Sequence, residues 1–520
     1  MIFNKSNFIF VISLAIISFS VNFYYASLGV LPIDTFAFFD TGFRLTVGDL
    51  PFVDYWTISG PFIDLLQAFY FSVLGVSWNS YILNGSIINL IITLISYNFF
   101  KKTGLSLQFS FFYAICVAFL ANPSMGTPFP DHYSTFFSLF AIMSFLSALK
   151  YEKDIYWFLI PIFLFIAFLC KQTPAAYIIF LFIINFSLYS LIKKNFKFIK
   201  PVILGTLVSI TLFLLLIWFY QIDLMNIIIQ YVLYPRTIAL NRITEWHLSF
   251  NKAVSTLKLI HLLLLPLILI FLKNILFQNN YIYKNEFFYN LNIIIFSILL
   301  ILHQWITLNF IFIFFLIPYL CSMIQINLYN IKYRKIIISI ILSFCLVGTI
   351  KYHSRFNQER KMLNLENLNL NNFYAGDKIS TSLNGLKWVT RDYVLENRND
   401  IDKILKIKSI LKNEKKKIMF LSNYNFFSSI LKKNLNSPNR WYGGDVAHPK
   451  KNNPYYKEYK IFNYDLILKK KIEIIYVDIV LGNYHLDMLS EIVEQFPSGC
   501  ANIGKIEGVL VFYDISNCYQ

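Results

Sequence analysis

Between residues 34 and 64, an otherwise apolar and aromatic stretch carries five carboxylates, Asp34, Asp40, Asp49, Asp54 and Asp64, and a single base, Arg44. A carboxylate can take a proton from a hydroxyl, bind a metal ion or neutralise a cation. An ionised carboxylate left unpaired beside lipid is costly, so the cluster needs a physical reason. Local explanations cover part of it. Asp34 follows Pro32 and precedes the helical-looking TFAFFDTGFRL, where capping a helix is the simpler role. Asp49, in GDLP, has turn chemistry. Asp54, among the aromatic residues of PFVDYWTISGPF, has no such account.

Other groups suit a phosphate or a second polar site. Lys171, in FLCKQTPAAY, lies beside a helix start marked by Pro, and helix N-termini favour anions. Arg236 and Arg242 share YPRTIALNRITEWH. For all three cations, contact with lipid headgroups or solvent is the alternative role. Asp131 and His132, in ANPSMGTPFPDHYSTFF, suit an acceptor, a phosphate or a divalent metal, with helix capping as the simpler role for Asp131. Metal binding by Asp34, Asp131 and His132 is left open, and no cofactor is firmly implied. His303, Gln304 and Trp305, Glu245 to His247, and RWYGGDVAHP at 440–449 are weaker groupings of the same kind. No phosphate-cradling glycine loop, HExxH or zinc-ligand spacing occurs, which counts against a nucleotide-linked donor.

The elements that must position these groups follow from composition. Of 520 residues, 57% are hydrophobic, 18% aromatic and only 14% charged. Soluble domains carry about 25% charged residues, so an ordinary cytosolic enzyme is excluded and a polytopic α-helical membrane protein is expected. Eleven apolar runs have about the length that crosses the hydrocarbon as helix: 8–28, 80–100, 105–122, 133–149, 155–170, 174–192, 202–220, 258–272, 288–303, 308–326 and 335–350. With Lys5 inside, 14 basic residues fall on inner loops and six on outer ones. The positive-inside rule then predicts a cytoplasmic N-terminus in a bacterial inner membrane. The run 61–75 is apolar but short and carries Asp64 and Gln67, which predicts an interfacial helix.

The chain divides near Lys351. A membrane domain, 1–350, has long outer loops at 29–79 and 220–257. The remainder, 351–520, has the charge density of a soluble domain, and the odd number of spans places it outside, in the periplasm. Strand patterns at 417–423, 471–480 and near 508–515, with helical spacing at 399–413 and 486–496, predict a small extracytoplasmic α/β domain. Cys500 and Cys518 are the cysteines of that part; as a disulfide they would close a loop worth about 3 kcal/mol. The formal charge of +17 splits almost evenly between the two parts, so nucleic acid is not an expected partner.

The stretch PIDTFAFFDTGFRLTVGDLPFVDYWTISGPFIDLLQAFYFSVLG resembles the first outer loop of GT-C glycosyltransferases, polytopic enzymes related to protein O-mannosyltransferases and aminoarabinose transferases. Matching residues are Asp34, Gly48, Pro51, Asp54, Tyr55, Gly60, Pro61, Leu74 and Gly75, and the likeness is strongest over residues 30–100. The resemblance implies transfer of a sugar, with inversion, from a polyprenyl-phosphate carrier to an envelope glycan, lipid or protein acceptor outside the cytoplasm. Asp34 occupies the position of the family's catalytic acid and would be general base, with Asp54 assisting. Where some members carry Lys-Pro-Pro, this chain has Ser59, Gly60 and Pro61, so the phosphate must find Lys171, Arg236 or Arg242 instead. The competing expectation is a lipid-linked saccharide flippase or an O-antigen-type polysaccharide polymerase. A flippase needs a polar groove through the bilayer, which the apolar spans do not offer, whereas Arg236 and Arg242 suit a polymerase.

Overall fold

The computed structural model describes residues 5–121, 125–244, 251, 254–307, 313–328, 333–395, 399–440, 447–481, 496–497 and 499–519. In chain order the longer helices are α1 (Lys5–Ala26), α2 (Pro32–Thr46), α3 (Phe62–Leu74), α4 (Trp78–Lys102), α5 (Leu107–Leu120), α6 (Pro130–Tyr151), α7 (Asp154–Cys170), α8 (Gln172–Lys193) and α9 (Ile199–Tyr220). They continue with α10 (Tyr234–Thr244), α11 (Lys258–Phe277), α12 (Asn285–Thr307), α13 (Leu316–Ile326), α14 (Arg334–His353), α15 (Asn399–Asn413) and α16 (Tyr456–Lys470).

Among the described residues, eight helices are long and apolar enough to cross a membrane, fewer than the eleven expected. The other three runs form helices of 14, 17 and 11 residues, α5, α7 and α13. At 1.5 Å per residue these reach about 16 to 26 Å, short of about 30 Å of hydrocarbon. Residues 308–312, which would open the last of these runs, lie outside the described residues.

The chain forms two compact units that do not follow the division at residue 350. One comprises residues 1–26, 85–216 and 241–362; the other comprises 27–84, 217–240 and 363–520. In the first unit α6 is the centre, with 94% of its apolar window buried against α7, α8 and α12, while α9 has only 11% buried and turns Leu207 and Leu214 outward. An apolar exterior around a buried helix is the arrangement expected where the surrounding solvent is lipid. Polar side chains join the helices internally. Asn89 Nδ2 donates to the carbonyls of Ser18 and Ala118 at 2.8 and 3.0 Å, and Asn185 pairs with Asn292 at 2.7 Å.

The two ends of this unit differ in charge. At one end, Lys101 Nζ reaches Asn7 Oδ1 at 2.7 Å and Lys102 Nζ reaches Ser147 Oγ at 2.9 Å, while Lys193 donates to the Tyr283 carbonyl. The start of α1, the ends of α4, α6 and α8, and the start of α12 therefore share one basic end, as alternating spans require. The opposite end holds the start of α6, the junction of α7 with α8, and the end of α12.

In the second unit a four-stranded sheet is built from β3 (Ile418–Leu421), β4 (Ile474–Asp478), β5 (Asn502–Ile506) and β6 (Leu510–Asp514), after a short antiparallel pair β1 (Tyr374–Ala375) and β2 (Lys387–Trp388). The order is β3-β4-β6-β5, with β3 and β4 parallel and the other pairings antiparallel. Both parallel strands are wholly buried, which their unbroken apolar runs anticipate. The three expected strands and helix α15 at 399–413 are present; the expected helix at 486–496 falls almost entirely outside the described residues. β5, an exposed edge strand, had no clear alternation to announce it. Cys500 and Cys518 form a disulfide with Cα atoms 5.1 Å apart, tying the start of β5 to the chain after β6.

The loop after α1 is built into this unit rather than hanging free. Gly29 N–H donates to Lys387 O and Val30 N–H to Val389 O, both at 3.0 Å, and Trp56 N–H donates to Pro438 O at 2.7 Å. Gly29 has φ +76°, a conformation that favours glycine. Close approach of α2 to α3 depends similarly on Gly42, where a Cβ would meet Gln67 Cγ at 2.6 Å.

Candidate functional site

Four of the five acids that opened the sequence reading are buried, and each has been given a partner within the second unit. Arg44, itself wholly buried, forms an ion pair with Asp49 at 2.9 Å and donates to the carbonyls of Ser437 at 2.7 Å and Asp54 at 3.2 Å. Asp49 also accepts from Lys470 Nζ and Asn434 Nδ2, both at 2.7 Å. Burial pushes its carboxyl up, but Arg44 and Lys470 more than reverse that and hold it below the ordinary carboxylate range. Asp54 accepts from the Leu50 N–H at 2.9 Å and pairs with Lys470 at 2.9 Å and Lys469 at 3.2 Å. Asp64 pairs with Arg440 and accepts from Thr41 Oγ1 at 2.5 Å.

Asp40 is the exception in kind. Ser429 Oγ donates to it at 3.3 Å, and burial pushes its carboxyl up to about 7 against the pull of Arg44. A fully buried acid without a dedicated counter-ion keeps its proton to near-neutral pH.

Asp34 alone among the five remains partly exposed. It sits in the first turn of α2, whose N-cap is Leu31, so the capping role does not apply; an acid in that turn still gains from the helix dipole. Asp49 and Asp54, read from sequence as a turn residue and a catalytic assistant, both lie in ion pairs. Arg236 is exposed on α10 in the same unit.

In the first unit the structure brings together two of the residues singled out from sequence, Asp131 and Lys171, and adds His303. Lys171 Nζ donates to both Asp131 oxygens, at 2.8 and 2.7 Å, and His303 Nε2 lies 2.9 Å from Asp131 Oδ1. Four helices position the trio. Pro130 opens α6 and places Asp131 in its first turn, Lys171 separates α7 from α8 with an extended backbone, and His303 lies in the last turns of α12. Asp131 and His303 are almost inaccessible, at 5% and 1%, whereas the Lys171 side chain keeps 25% of its surface. The cluster therefore presents a cation outward from an acid and an imidazole that fix it.

His132, paired with Asp131 in the sequence reading, is buried with its ring 5.8 Å from that of Phe136 and 6.2 Å from that of Phe129. The imidazole beside the carboxylate is His303, 172 positions further on, which no local spacing signals. Among the described residues, no three His, Cys, Asp or Glu side chains converge as metal ligands. Asp131 has both oxygens occupied by nitrogen bases. Glu245 to His247 and residues 441–446 lie outside the described residues.

Neither a protein-family model nor a curated protein sequence matches the chain.

Proposed function

We propose that this chain is a membrane glycosyltransferase that moves a sugar from a polyprenyl-phosphate carrier to an acceptor on the outer side of a bacterial inner membrane. The observation that carries the reading is the partial exposure of Asp34: the other four acids of the first outer loop are buried, whereas Asp34 keeps part of its surface accessible. The loop resemblance assigns Asp34 the general base, taking the proton of an acceptor hydroxyl. Lys171, oriented by Asp131 and His303, supplies positive charge for the departing phosphate, with Arg242 and Arg236 contributing. In this reading the basic end of the helical unit faces the cytoplasm, as the positive-inside rule requires, and the end bearing Lys171 faces out.

Sugar transfer from radiolabelled polyprenyl-phosphate sugars, measured with the purified full chain, tests the assignment. Asp34→Asn is expected to lower the rate by about 10²- to 10⁴-fold while leaving thermal unfolding unchanged. A wild-type rate in folded Asp34→Asn protein sinks the general-base role.

A further inference from the structure

At the basic end of the helical unit, α4, α6, α7 and α12 surround a cavity of about 200 Å³. Its wall is mostly apolar, with Ile95, Phe99, Phe140, Leu159 and Phe163 along it, and Lys102, Ser147 and Tyr156 at its polar side. Lys102 Nζ donates to Ser147 Oγ at 2.9 Å and stands 5.2 Å from the Tyr151 ring centre and 5.4 Å from that of Tyr156. Lys150 donates to the Lys102 carbonyl, and its own ammonium lies 6.0 Å from the same Tyr151 ring. Two cations thus share one aromatic face. Among the described residues neither has a carboxylate within ion-pair distance, and the nearest acids in sequence, Glu152 and Asp154, are exposed.

A half-buried lysine at the cavity wall, with an exposed second lysine beside it, favours an anion, and two tyrosines next to them add hydroxyl donors. The apolar walls continue this polar mouth into the helix bundle, where a free phosphate gains nothing but a hydrocarbon chain gains contact. From the charge complementarity and the apolar continuation together, we propose that this cavity is a binding site for an anionic phospholipid. The phosphodiester sits against Lys102 and Lys150, and the start of an acyl chain lies along Phe99, Phe140 and Phe163. The site is at the opposite end of α6 from Asp131 and is separate from the sugar-transfer assignment. Its role is to lock the ends of α4 and α6 to the start of α7 in the leaflet nearest the N-terminus.

The test uses the full chain purified in detergent with equal phosphatidylglycerol and phosphatidylcholine of matched chains, the bound lipid being read by native mass spectrometry. A photo-crosslinking phosphatidylglycerol is mapped by peptide in parallel. Wild type is expected to retain phosphatidylglycerol preferentially, with crosslinks in peptides spanning 95–103 or 140–163. Lys150→Gln is expected to lower that preference about fivefold, and Lys102→Gln with Lys150→Gln by a further similar factor, while Lys150→Arg keeps it. Lys150 is exposed, so its single variant reads the site even if the double variant unfolds. Millimolar glycerol 1-phosphate is expected not to displace the lipid. Equal retention of the two lipids, an unchanged preference in Lys150→Gln, crosslinks elsewhere, or displacement by glycerol 1-phosphate would each overturn the proposal.

Discussion

Two buried charge clusters lie in different parts of this molecule, and they are built on opposite plans. In the unit that carries the sheet, Arg44, Arg440, Lys469 and Lys470 are matched against Asp49, Asp54 and Asp64, and backbone carbonyls take up remaining guanidinium hydrogens. These three acids are spent on holding the segment between α1 and α4 to the C-terminal residues. In the helical unit a single carboxylate, Asp131, serves two nitrogen bases, and the lysine of the set remains a quarter exposed. The first plan builds structure; the second holds a cation ready for something else. A dense group of acids in a sequence is therefore a poor guide to chemistry until it is known which of them are neutralised.

The contrast can be broken at several points. Arg440→Met should have the largest effect on stability, leaving Asp64 charged and buried, and should cost about 3–5 kcal/mol. It would be read as a large fall in melting temperature in detergent or loss of folded material, and a melting temperature near wild type would mean that the pair is not structural. Asp40→Asn comes next and carries a sign. The folded-state value is raised from 3.8 to about 7, so the contribution of Asp40 is fully present below about pH 4 and lost as pH rises through about 7. Wild type should lose up to about 4 kcal/mol across that window through this group. The Asn variant should have a flatter pH profile and be the more stable protein at pH 8, and an unaltered slope would show that Asp40 is already ionised.

Lys171→Gln sharpens the comparison from the other side. Because the lysine is partly exposed and Asp131 keeps His303, stability should fall by only about 1 kcal/mol, whereas sugar transfer should fall by two orders of magnitude or more. Equal losses of stability and activity would make the trio structural after all. The smallest effect is expected for Lys469→Gln: its side chain is 56% exposed and Asp54 retains Lys470, so the change should stay within about 0.5 kcal/mol in a salt-dependent unfolding series.

Much of the scaffold was legible in the linear chain. Apolar runs marked the long helices because length and hydropathy are local properties, and lysines between them marked the end of the bundle at which Lys101, Lys102 and Lys193 are found. Length alone misled at α5, where the apolar run is longer than the helix, and at α7, where the whole run is helical but its 17 residues fall short of the hydrocarbon thickness. At the site, Asp131 and Lys171 were each noticed separately, but their pairing was not, since 40 residues and a complete helix lie between them.

What the sequence determined by itself was the alternation of apolar helices, the charge asymmetry of their ends, three strands of the sheet and the presence of two cysteines able to close it. These depend on side chains acting over a few neighbouring positions, where periodicity and turn residues are decisive. Only the tertiary structure decided which acids are occupied. Asp54 meets a lysine 415 positions away and Asp64 an arginine 376 away. Whether a carboxylate is neutralised is set by what folding brings within about 4 Å of it, and no local pattern encodes that distance. That selection left Asp34 partly exposed and made it the first residue to test.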